Sequence, residues 1–436
     1  MYNRYHFILA LLFCLLSASL WAQEPLLTEW KLNTTGATAS YWQNTGNPNN
    51  PNFTFFTTND SADVLQVCFT AAEVFVRSEG MVDSMGQFTN PGAPSAQDYT
   101  WEFPRNPAPA TNVTEAPIIF AVGVLINGVP IFGMGDGSSW DGQAQQNSNM
   151  GDGIWNGDAW YGEGATLDDA YAAHPQQQGA YHSHATPFRL YDFPSTQHSP
   201  IVGFAFDGYP IYGPYGYSDP NNPNSAIAQM QSSYRLRNIT VRETLPDGTV
   251  LNANSHGPAV SMNHPLGEYI EDYEYVANLG DLDEHNGRFC ITPDYPNGTY
   301  AYFTIADANN EAFFPYFIGP TYYGVVTMAN LNPNNNITIP GSAMCDALTA
   351  TTEDLRPRDV RIFPSVTERE FRVEWQTGTV VERIGVVDLQ GRRMFEAQSP
   401  GGNALTIQVA DWPAGLYHCI VTGPNGSVTQ RIVRQH

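Results

Sequence analysis

The sequence lacks the short motifs that mark the commonest catalytic folds. It contains no Gly-x-Ser-x-Gly elbow, no His-Glu-x-x-His pair, no P-loop and no Gly-x-Gly-x-x-Gly after a strand. These absences argue against the familiar serine hydrolases, zinc proteases, nucleotide hydrolases and dinucleotide-binding enzymes. No Cys-x-x-Cys occurs either, so a zinc ribbon or a thioredoxin-type centre is not expected. Histidine and carboxylate remain as the sources of chemistry.

Basic residues are scarce. The chain has 19 Lys and Arg against 43 Asp and Glu, a formal net charge of −24. Such a surface repels phosphate backbones and anionic lipid, so we expect no nucleic-acid binding. It is compatible with cationic partners or a divalent metal ion, although solubility outside the cell is sufficient to explain it.

Long apolar runs are confined to the N-terminus. Arg4 precedes the apolar stretch Phe7 to Leu16, and Ala22 offers a small residue at a cleavage site, so residues 1–22 read as a secretory signal peptide. The stretch is too short for a convincing membrane span. Bulky Phe13 before Cys14 argues against a lipoprotein anchor. We therefore expect an exported protein.

Cysteine usage fits an exported compartment, which permits disulfides. The four cysteines beyond the signal allow three complete pairings, and the sequence does not choose among them. Cys290 with Cys345 is the favoured pair because both fall in one predicted domain, and Cys419 reads as a buried strand thiol. The fourth is Cys68.

The composition, with 38 glycines and 32 prolines, favours a loop-rich β protein. We predict a mainly β fold: a large β-sandwich-like or multi-sheet domain and a small C-terminal Ig-like β-sandwich. Strands are expected over Val64–Phe69, over 121–126 with a hairpin at Asn127-Gly128, and over 234–242. Residues 133–178 are expected to form a long loop.

The central stretch, residues 179–217, contains the strongest candidate site. His182 and His184 lie at i and i+2 on a predicted strand, so their side chains share a face about 7 Å apart. Two imidazoles on one face can hold a transition metal such as copper, zinc or iron, and metal binding is preferred here to metal-free acid–base catalysis. A further ligand would come from one of four residues placed by the fold: His198, Asp207, Asp283 and His285.

Calcium is a second possible ion. Gly-Asp pairs recur in 133–178, and Asp281 to Gly287 clusters three carboxylates. Neither stretch has the EF-hand spacing, and the second is equally explained as a turn capped by its own carboxylates. Calcium therefore stays open.

A binding module without catalysis is the alternative from a different class. Aromatic side chains in 133–178 would then contact a surface glycan or a matrix protein, although tryptophans in such a loop more often anchor it to the core. These aromatic residues are Trp140, Trp155, Trp160 and Tyr161.

Four ordered blocks identify a family. Residues 198–216 (HSPIVGFAFDGYPIYGPYG), 280–289, 292–302 and 314–320 resemble the YHYH-domain family, over about 115–328. Ser183 stands where the family motif has its second tyrosine, so no role of that phenol carries over. The resemblance indicates the domain without indicating a reaction, and it leaves enzymatic activity open.

The tail has a different charge balance. A polar stretch over 331–353 precedes it, and residues 356–436 contain ten arginines and eight acidic residues. Its Phe-Pro-Ser opening, Asp-x-x-Gly-Arg hairpin and Pro-Ala-Gly-Leu-Tyr block resemble the C-terminal sorting domain of the type IX secretion system. That resemblance implies the secretion machinery as partner and a secreted or cell-surface location. The predicted order is signal peptide, β-rich domain (23–345), linker (346–355) and sorting domain (356–436).

Two functions follow as hypotheses. The first is a secreted metal-binding domain, acting as an oxidoreductase or a hydrolase, with His182 and His184 as ligands. The second is a surface adhesion or glycan-binding module. Convergent histidines in the folded chain would favour the first, and an exposed flat tryptophan patch would favour the second.

Overall fold

The structure is a computed structural model, and most of the chain is described. It covers residues 24–46, 51–89, 92–149, 151–176, 178–191, 193–306, 311–331, 337–345, 360–363, 366–367, 369–376, 379–388, 392–398, 400–423 and 426–434. The predicted signal peptide, the predicted linker over 346–355 and the first residues of the predicted sorting domain lie outside these ranges. Residues 24–345 are called the body and residues 360–434 the tail.

The body consists of short strands with few helical turns. Its strands are β1 (Thr38–Asn44), β2 (Phe53–Ser61), β3 (Val64–Phe69), β4 (Glu73–Ser78), β5 (Gln87–Phe88), β6 (Tyr99–Pro104), β7 (Pro109–Glu115), β8 (Ala121–Leu125), β9 (Pro130–Phe132), β10 (Gly135–Asp141), β11 (Gln146–Asn149), β12 (Asn156–Asp158), β13 (Ala173–Pro175), β14 (Tyr181–Ser183), β15 (Ile201–Ala205), β16 (Pro210–Tyr212), β17 (Tyr215–Tyr217), β18 (Ile227–Gln229), β19 (Tyr234–Leu236), β20 (Tyr273–Tyr275), β21 (Gly287–Cys290), β22 (Thr299–Phe303), β23 (Thr321–Gly324) and β24 (Met344–Cys345). The helices are α1 (Pro25–Thr28) and α2 (Ala159–Glu163), with 3₁₀ turns at Gly164–Thr166, Ala253–Ser255, Ile270–Asp272 and Met328–Leu331.

The tail is built of two sheets. Its strands are β25 (Val360–Phe363), β26 (Val366–Thr367), β27 (Glu370–Trp375), β28 (Arg383–Asp388), β29 (Arg393–Gln398), β30 (Ala404–Gln408), β31 (Gly415–Gly423) and β32 (Gly426–Arg434). The sheet orders are β25-β27-β30 and β26-β32-β31-β28-β29. Alternating apolar side chains of these strands, such as Phe371, Val373 and Ile384, form a core of their own. The predicted fold class, mainly β with a small C-terminal sandwich, is confirmed.

An eight-stranded sheet lies at the centre of the body, in the order β13-β14-β9-β8-β15-β16-β22-β21. Its middle strands read as apolar, β-branched and aromatic runs because both faces are buried. The predicted hairpin at Asn127-Gly128 is present, a second hairpin turns at Asp207-Gly208, and both glycines have a φ of 83°. Only glycine adopts that left-handed conformation at no cost, which explains the turn chemistry.

The sheet has internal two-fold pseudosymmetry. Residues 121–133 (AVGVLINGVPIFG) and 201–213 (IVGFAFDGYPIYG) form two hairpins with the same bulge, and β8 pairs antiparallel with β15 between them. The backbones approach closely at this axis. A Cβ on Gly123 would lie 2.6 Å from the Phe204 oxygen, and one on Gly203 would lie 2.5 Å from the Val124 oxygen.

The symmetry extends outward to both edges. Strand β14 pairs parallel with β9, as β22 does with β16, and β13 and β21 complete the two edges antiparallel. The two half-sheets therefore present equivalent positions, at which their side chains can be compared.

The disulfide predicted between Cys290 and Cys345 is wrong. Strand β24 pairs antiparallel with β3, which places Cys345 directly opposite Cys68, with 4.0 Å between their Cα atoms, and these two are bonded. Cys290 is a buried free thiol, and so is Cys419, as predicted. The strand pairing also shows that the polar stretch, which begins at residue 331, still belongs to the body at Cys345.

Two other expectations are corrected. Residues 133–178 form strands β10 to β13 and helix α2 rather than one long loop, because β10 gains two antiparallel partners. The strand predicted over 234–242 ends at Leu236. Beyond it, Arg242 turns inward to a fully buried ion pair with Asp272, at 2.7 Å, which a half-exposed strand would not allow. Among the described residues, no helix is long and apolar enough to cross a membrane.

Candidate metal centre

An edge hairpin of the central sheet brings three histidines together. Strands β13 and β14 pair antiparallel with His174 directly opposite His182. Because side chains alternate along a strand, His184 shares the face of His182. The His184 N–H donates to the Ala172 carbonyl at 2.9 Å, which holds the strand end in place. Register and alternation thus determine this cluster.

The three imidazoles are close and buried. Ring centroids lie 4.7 Å apart for His182 and His184, 4.9 Å for His174 and His182, and 5.5 Å for His174 and His184. One ring nitrogen of each lies within 4.8 Å of those of the other two. Each residue is 3–4% exposed. Because metal–nitrogen bonds are about 2.0–2.1 Å, one ion could contact all three once the rings turn slightly toward it.

Hydrogen bonds select the nitrogen that each ring offers. The Thr166 hydroxyl donates to the Glu163 carbonyl at 2.8 Å, so its oxygen accepts a hydrogen bond from the His174 Nδ1–H, 3.1 Å away. His182 Nδ1 lies 2.9 Å from the Ala180 carbonyl and donates to it. Both rings therefore carry their proton on Nδ1 and leave the Nε2 lone pair free, the usual arrangement of a metal-binding histidine.

His184 has no such arrangement. Its two ring nitrogens are buried without a hydrogen-bond partner among the described residues; the Gly133 carbonyl lies near the ring but outside hydrogen-bonding geometry. A buried polar atom without a partner costs about 1–3 kcal/mol. This orphaned ring is the feature that a bound ion would explain.

Burial favours the neutral form of His182 and His184. Desolvation is the largest cause that lowers the pKa of His184, to about 4, and the nearby Glu163 charge opposes it. Desolvation also lowers the pKa of His182 well below its usual value, assisted by the neighbouring histidines. Neutral imidazole is the form that binds metals.

A carboxylate and an aromatic ring complete the surroundings. Glu163, the last residue of α2, places Oε2 3.5 Å from His174 Nε2 and 3.3 Å from His184 Nε2. The ring of Phe132 stacks on His182 with 3.9 Å between centroids. The site therefore has one polar, carboxylate-lined side and one apolar side.

The other predicted ligands lie in other surroundings. Among the described residues, the group whose ligand atoms approach within 4.8 Å contains none of His198, Asp207, Asp283 and His285. The His198 ring lies against Tyr212 and Tyr217.

Asp207 and Asp283 each accept a hydrogen bond from a tyrosine. Tyr302 donates to Asp207 at 2.6 Å, and burial raises the pKa of this carboxyl to about 6. Tyr300 donates to Asp283 at 2.8 Å, and the same carboxylate oxygen accepts the His285 N–H at 3.0 Å. The His285 ring in turn lies 2.8 Å from the Thr321 hydroxyl. The Asp283 carboxylate therefore caps a turn.

The pseudosymmetry allows the histidine positions to be compared with their equivalents in the other half of the sheet. The positions equivalent to His174, His182 and His184 are occupied in the other half by Arg288, Ala301 and Phe303. The architecture is shared, and the ligand side chains are not.

Sequence reasoning missed His174 and Glu163. His174 fell in the stretch assigned to a loop, although Ala173-His174-Pro175 precedes a Gln- and Gly-rich turn that leads into the His182 strand. That turn signal could have predicted a hairpin and therefore a histidine across from His182. No comparable signal exists for Glu163.

The aromatic residues of the alternative hypothesis are mostly inside. Trp140 is 5% exposed and Trp155 1%, and they pack with Tyr269 in a small core of their own. Tyr161 is 53% exposed. Trp160 is partly buried against the main core, so these residues do not form a flat tryptophan surface for a glycan.

Two family profiles agree with the predicted architecture. The profile described as YHYH protein matches residues 100–314, and the profile described as Secretion system C-terminal sorting domain matches residues 361–435. A DUF3244 family protein with an immunoglobulin-like β-sandwich fold, from Bacteroides vulgatus, is 21% identical over 18% of this chain and 85% of its own, with a TM-score of 0.17. The comparison with curated proteins gives no match. The chain thus joins a domain of the YHYH family to a type IX secretion sorting domain, and it is a secreted or cell-surface protein.

Proposed function

We propose that the YHYH domain of this protein binds one divalent first-row transition metal ion through His174, His182 and His184. The observation that carries the proposal is the convergence of three buried imidazoles, with ligand atoms all within 4.8 Å. Three histidines are the protein ligands of one class of catalytic zinc site, and imidazole also suits copper and iron. Calcium prefers oxygen ligands, so this donor set favours a transition metal.

The competing interpretation is that the three rings are packed core residues. In that case each buried nitrogen should have a hydrogen-bond partner, because an unsatisfied polar atom destabilises the fold. His174 and His182 satisfy Nδ1, whereas neither nitrogen of His184 makes a hydrogen bond among the described residues, and its nearest charged group is the Glu163 carboxylate, 3.3 Å from Nε2. An ion would give the Nε2 lone pairs of all three rings a common partner.

The sorting tail determines where the metal would be bound. Passage through the type IX secretion system delivers the protein outside the cell, so the ion would be acquired or used there. Three protein ligands leave at least one coordination position on a four-coordinate ion. An oxidoreductase or a hydrolase activity would depend on that position.

The test is metal analysis of the full-length exported protein, purified without chelators and without a histidine tag. We expect about one copper, zinc or iron per chain, or stoichiometric uptake of added Zn²⁺ or Cu²⁺ by calorimetry. The His182→Ala/His184→Ala variant should lose at least about 100-fold in affinity, since even indirect partners of a ligand are worth 10–100-fold. His256→Ala, at a half-buried histidine outside the cluster, is the matched control. A wild-type protein that neither carries nor takes up these ions would refute the proposal.

A further inference from the structure

Glu163 lies where a fourth ligand would be. In a tetrahedral site with zinc–nitrogen and zinc–oxygen distances of about 2.0–2.2 Å, neighbouring ligand atoms are about 3.3–3.5 Å apart. The Glu163 Oε2 atom lies 3.3 Å from His184 Nε2 and 3.5 Å from His174 Nε2. The carboxylate is therefore at ligand distance from two of the three histidines, without a shift of the backbone.

Glu163 differs from the histidines in exposure. Its side chain is 28% exposed, against 6% for His174 and 2% for His184. The three rings are enclosed by the sheet and by Phe132, which stacks on His182. Solvent therefore reaches the centre on the carboxylate side, and a molecule arriving from solvent meets Glu163 first.

The backbone that carries Glu163 is held firmly. Asp158 caps α2 by accepting the Tyr161 N–H at 2.9 Å, and the Tyr316 hydroxyl donates to both Asp158 oxygens at 2.6 and 2.7 Å. At Gly162, an added Cβ would lie 2.2 Å from the Asp136 carboxylate, so this turn of the helix packs directly on Asp136. The helix is fixed, and the long side chain of Glu163 is the part that can rotate away.

We propose that Glu163 is the exchangeable fourth ligand of the metal centre, and that a small oxygen or nitrogen donor from solvent replaces it on the ion. This inference rests on the metal binding proposed above. In the exchange the bond between metal and carboxylate breaks and a bond between metal and incoming donor forms, with no change in oxidation state. A site closed by four protein ligands would be structural, whereas one with a replaceable ligand has the open position that catalytic centres need.

The ligand class follows from the space and charge at this position. The turn of α2 that carries Glu163 packs on the Asp136 carboxylate, so a second carboxylate lies close to this position. A large or multiply charged anion would meet these carboxylates, so water, hydroxide or a small monoanion is the expected occupant.

The experiment uses full-length protein loaded with Co²⁺, whose visible spectrum reports coordination number, and sodium azide as the incoming ligand. The variant is Glu163→Gln, and the matched control is Glu284→Gln, a 56% exposed glutamate beside a histidine outside the cluster. We expect Glu163→Gln to keep about one Co²⁺ per chain, with affinity lower by about 10–100-fold. Its azide affinity should rise at least tenfold, because no carboxylate competes for the position.

The outcomes separate the two proposals. A wild-type protein that takes up no Co²⁺ would overturn both. A wild-type protein that binds Co²⁺, while Glu163→Gln matches it in spectrum and in azide affinity within twofold, would overturn the exchange role alone. In that case Glu163 is a neighbour of the centre and not a ligand.

Discussion

Removing the Cys68–Cys345 disulfide should destabilise the body substantially, because this bond closes a very long loop. The two cysteines are 277 residues apart, and the chain-entropy relation gives about 5.5 kcal/mol for a loop of that length. Measured losses of native disulfides are typically about 2–5 kcal/mol, since unfolded chains retain structure. Strand β24 is exposed and only two residues long, so little else holds this end of the body.

The assay is thermal unfolding under non-reducing conditions. For a body of about 320 residues, the usual unfolding entropy is about 0.7 kcal/mol per degree, so a loss of 2–5 kcal/mol lowers the Tm by about 3–7 °C. Cys68→Ala and Cys345→Ala should each produce this drop, and the double variant should lose little more than either single one. Cys290→Ala is the matched control, because it also truncates a buried cysteine but breaks no disulfide, and its cost should be smaller, about 1 kcal/mol.

Two results would refute this reasoning. Peptide mapping that finds Cys290 bonded to Cys345 would show that the strand pairing is different. Additive losses in the Cys68→Ala/Cys345→Ala variant would show that the two cysteines act independently.

Three further predictions concern pH, the metal centre and export. Burial raises the pKa of Glu271 from 4.5 to about 7, so the folded state holds its proton more tightly, and the stability that this gives is lost as pH rises from 4.5 to 7, by up to about 3 kcal/mol. Urea unfolding at pH 5 and 7.5 should show a smaller fall in unfolding free energy for Glu271→Gln than for the wild type. An equal fall in both proteins would contradict the assignment. Thr166→Val removes the acceptor for His174 Nδ1–H and should weaken Zn²⁺ binding about 10–100-fold in calorimetry, while the Tm of the metal-free protein stays similar. An unchanged Zn²⁺ affinity would show that this threonine does not support the site. Deletion of residues 356–436 should abolish appearance of the protein at the cell surface and in the medium, measured by immunoblot of cell fractions; normal export of the truncated chain would show that the sorting tail is dispensable.

Local sequence determined the elements at the middle of the sheet. The apolar run over 121–126 and the turn dipeptide Asn127-Gly128 predicted a hairpin that the structure confirms. The i and i+2 spacing of His182 and His184 placed both rings on one face, because alternation is a property of the strand itself. The strand pattern and turn blocks of the tail likewise identified the sorting domain that the profile comparison supports.

Tertiary structure decided everything that depends on pairing between distant segments. His174 joins the cluster through cross-strand register, Glu163 through the packing of a short helix, and Cys345 finds Cys68 through an edge strand. None of these partners is set by a local preference, since register and packing are chosen by which surfaces the whole chain buries. The sequence repeat over 121–133 and 201–213 was readable, but only the fold shows that its copies pair about a pseudo-two-fold axis and that one half carries the histidines. Sequence alone therefore established the middle of the sheet, the shared histidine face and the sorting domain, and the folded chain brought His174 and Glu163 beside His182 and His184.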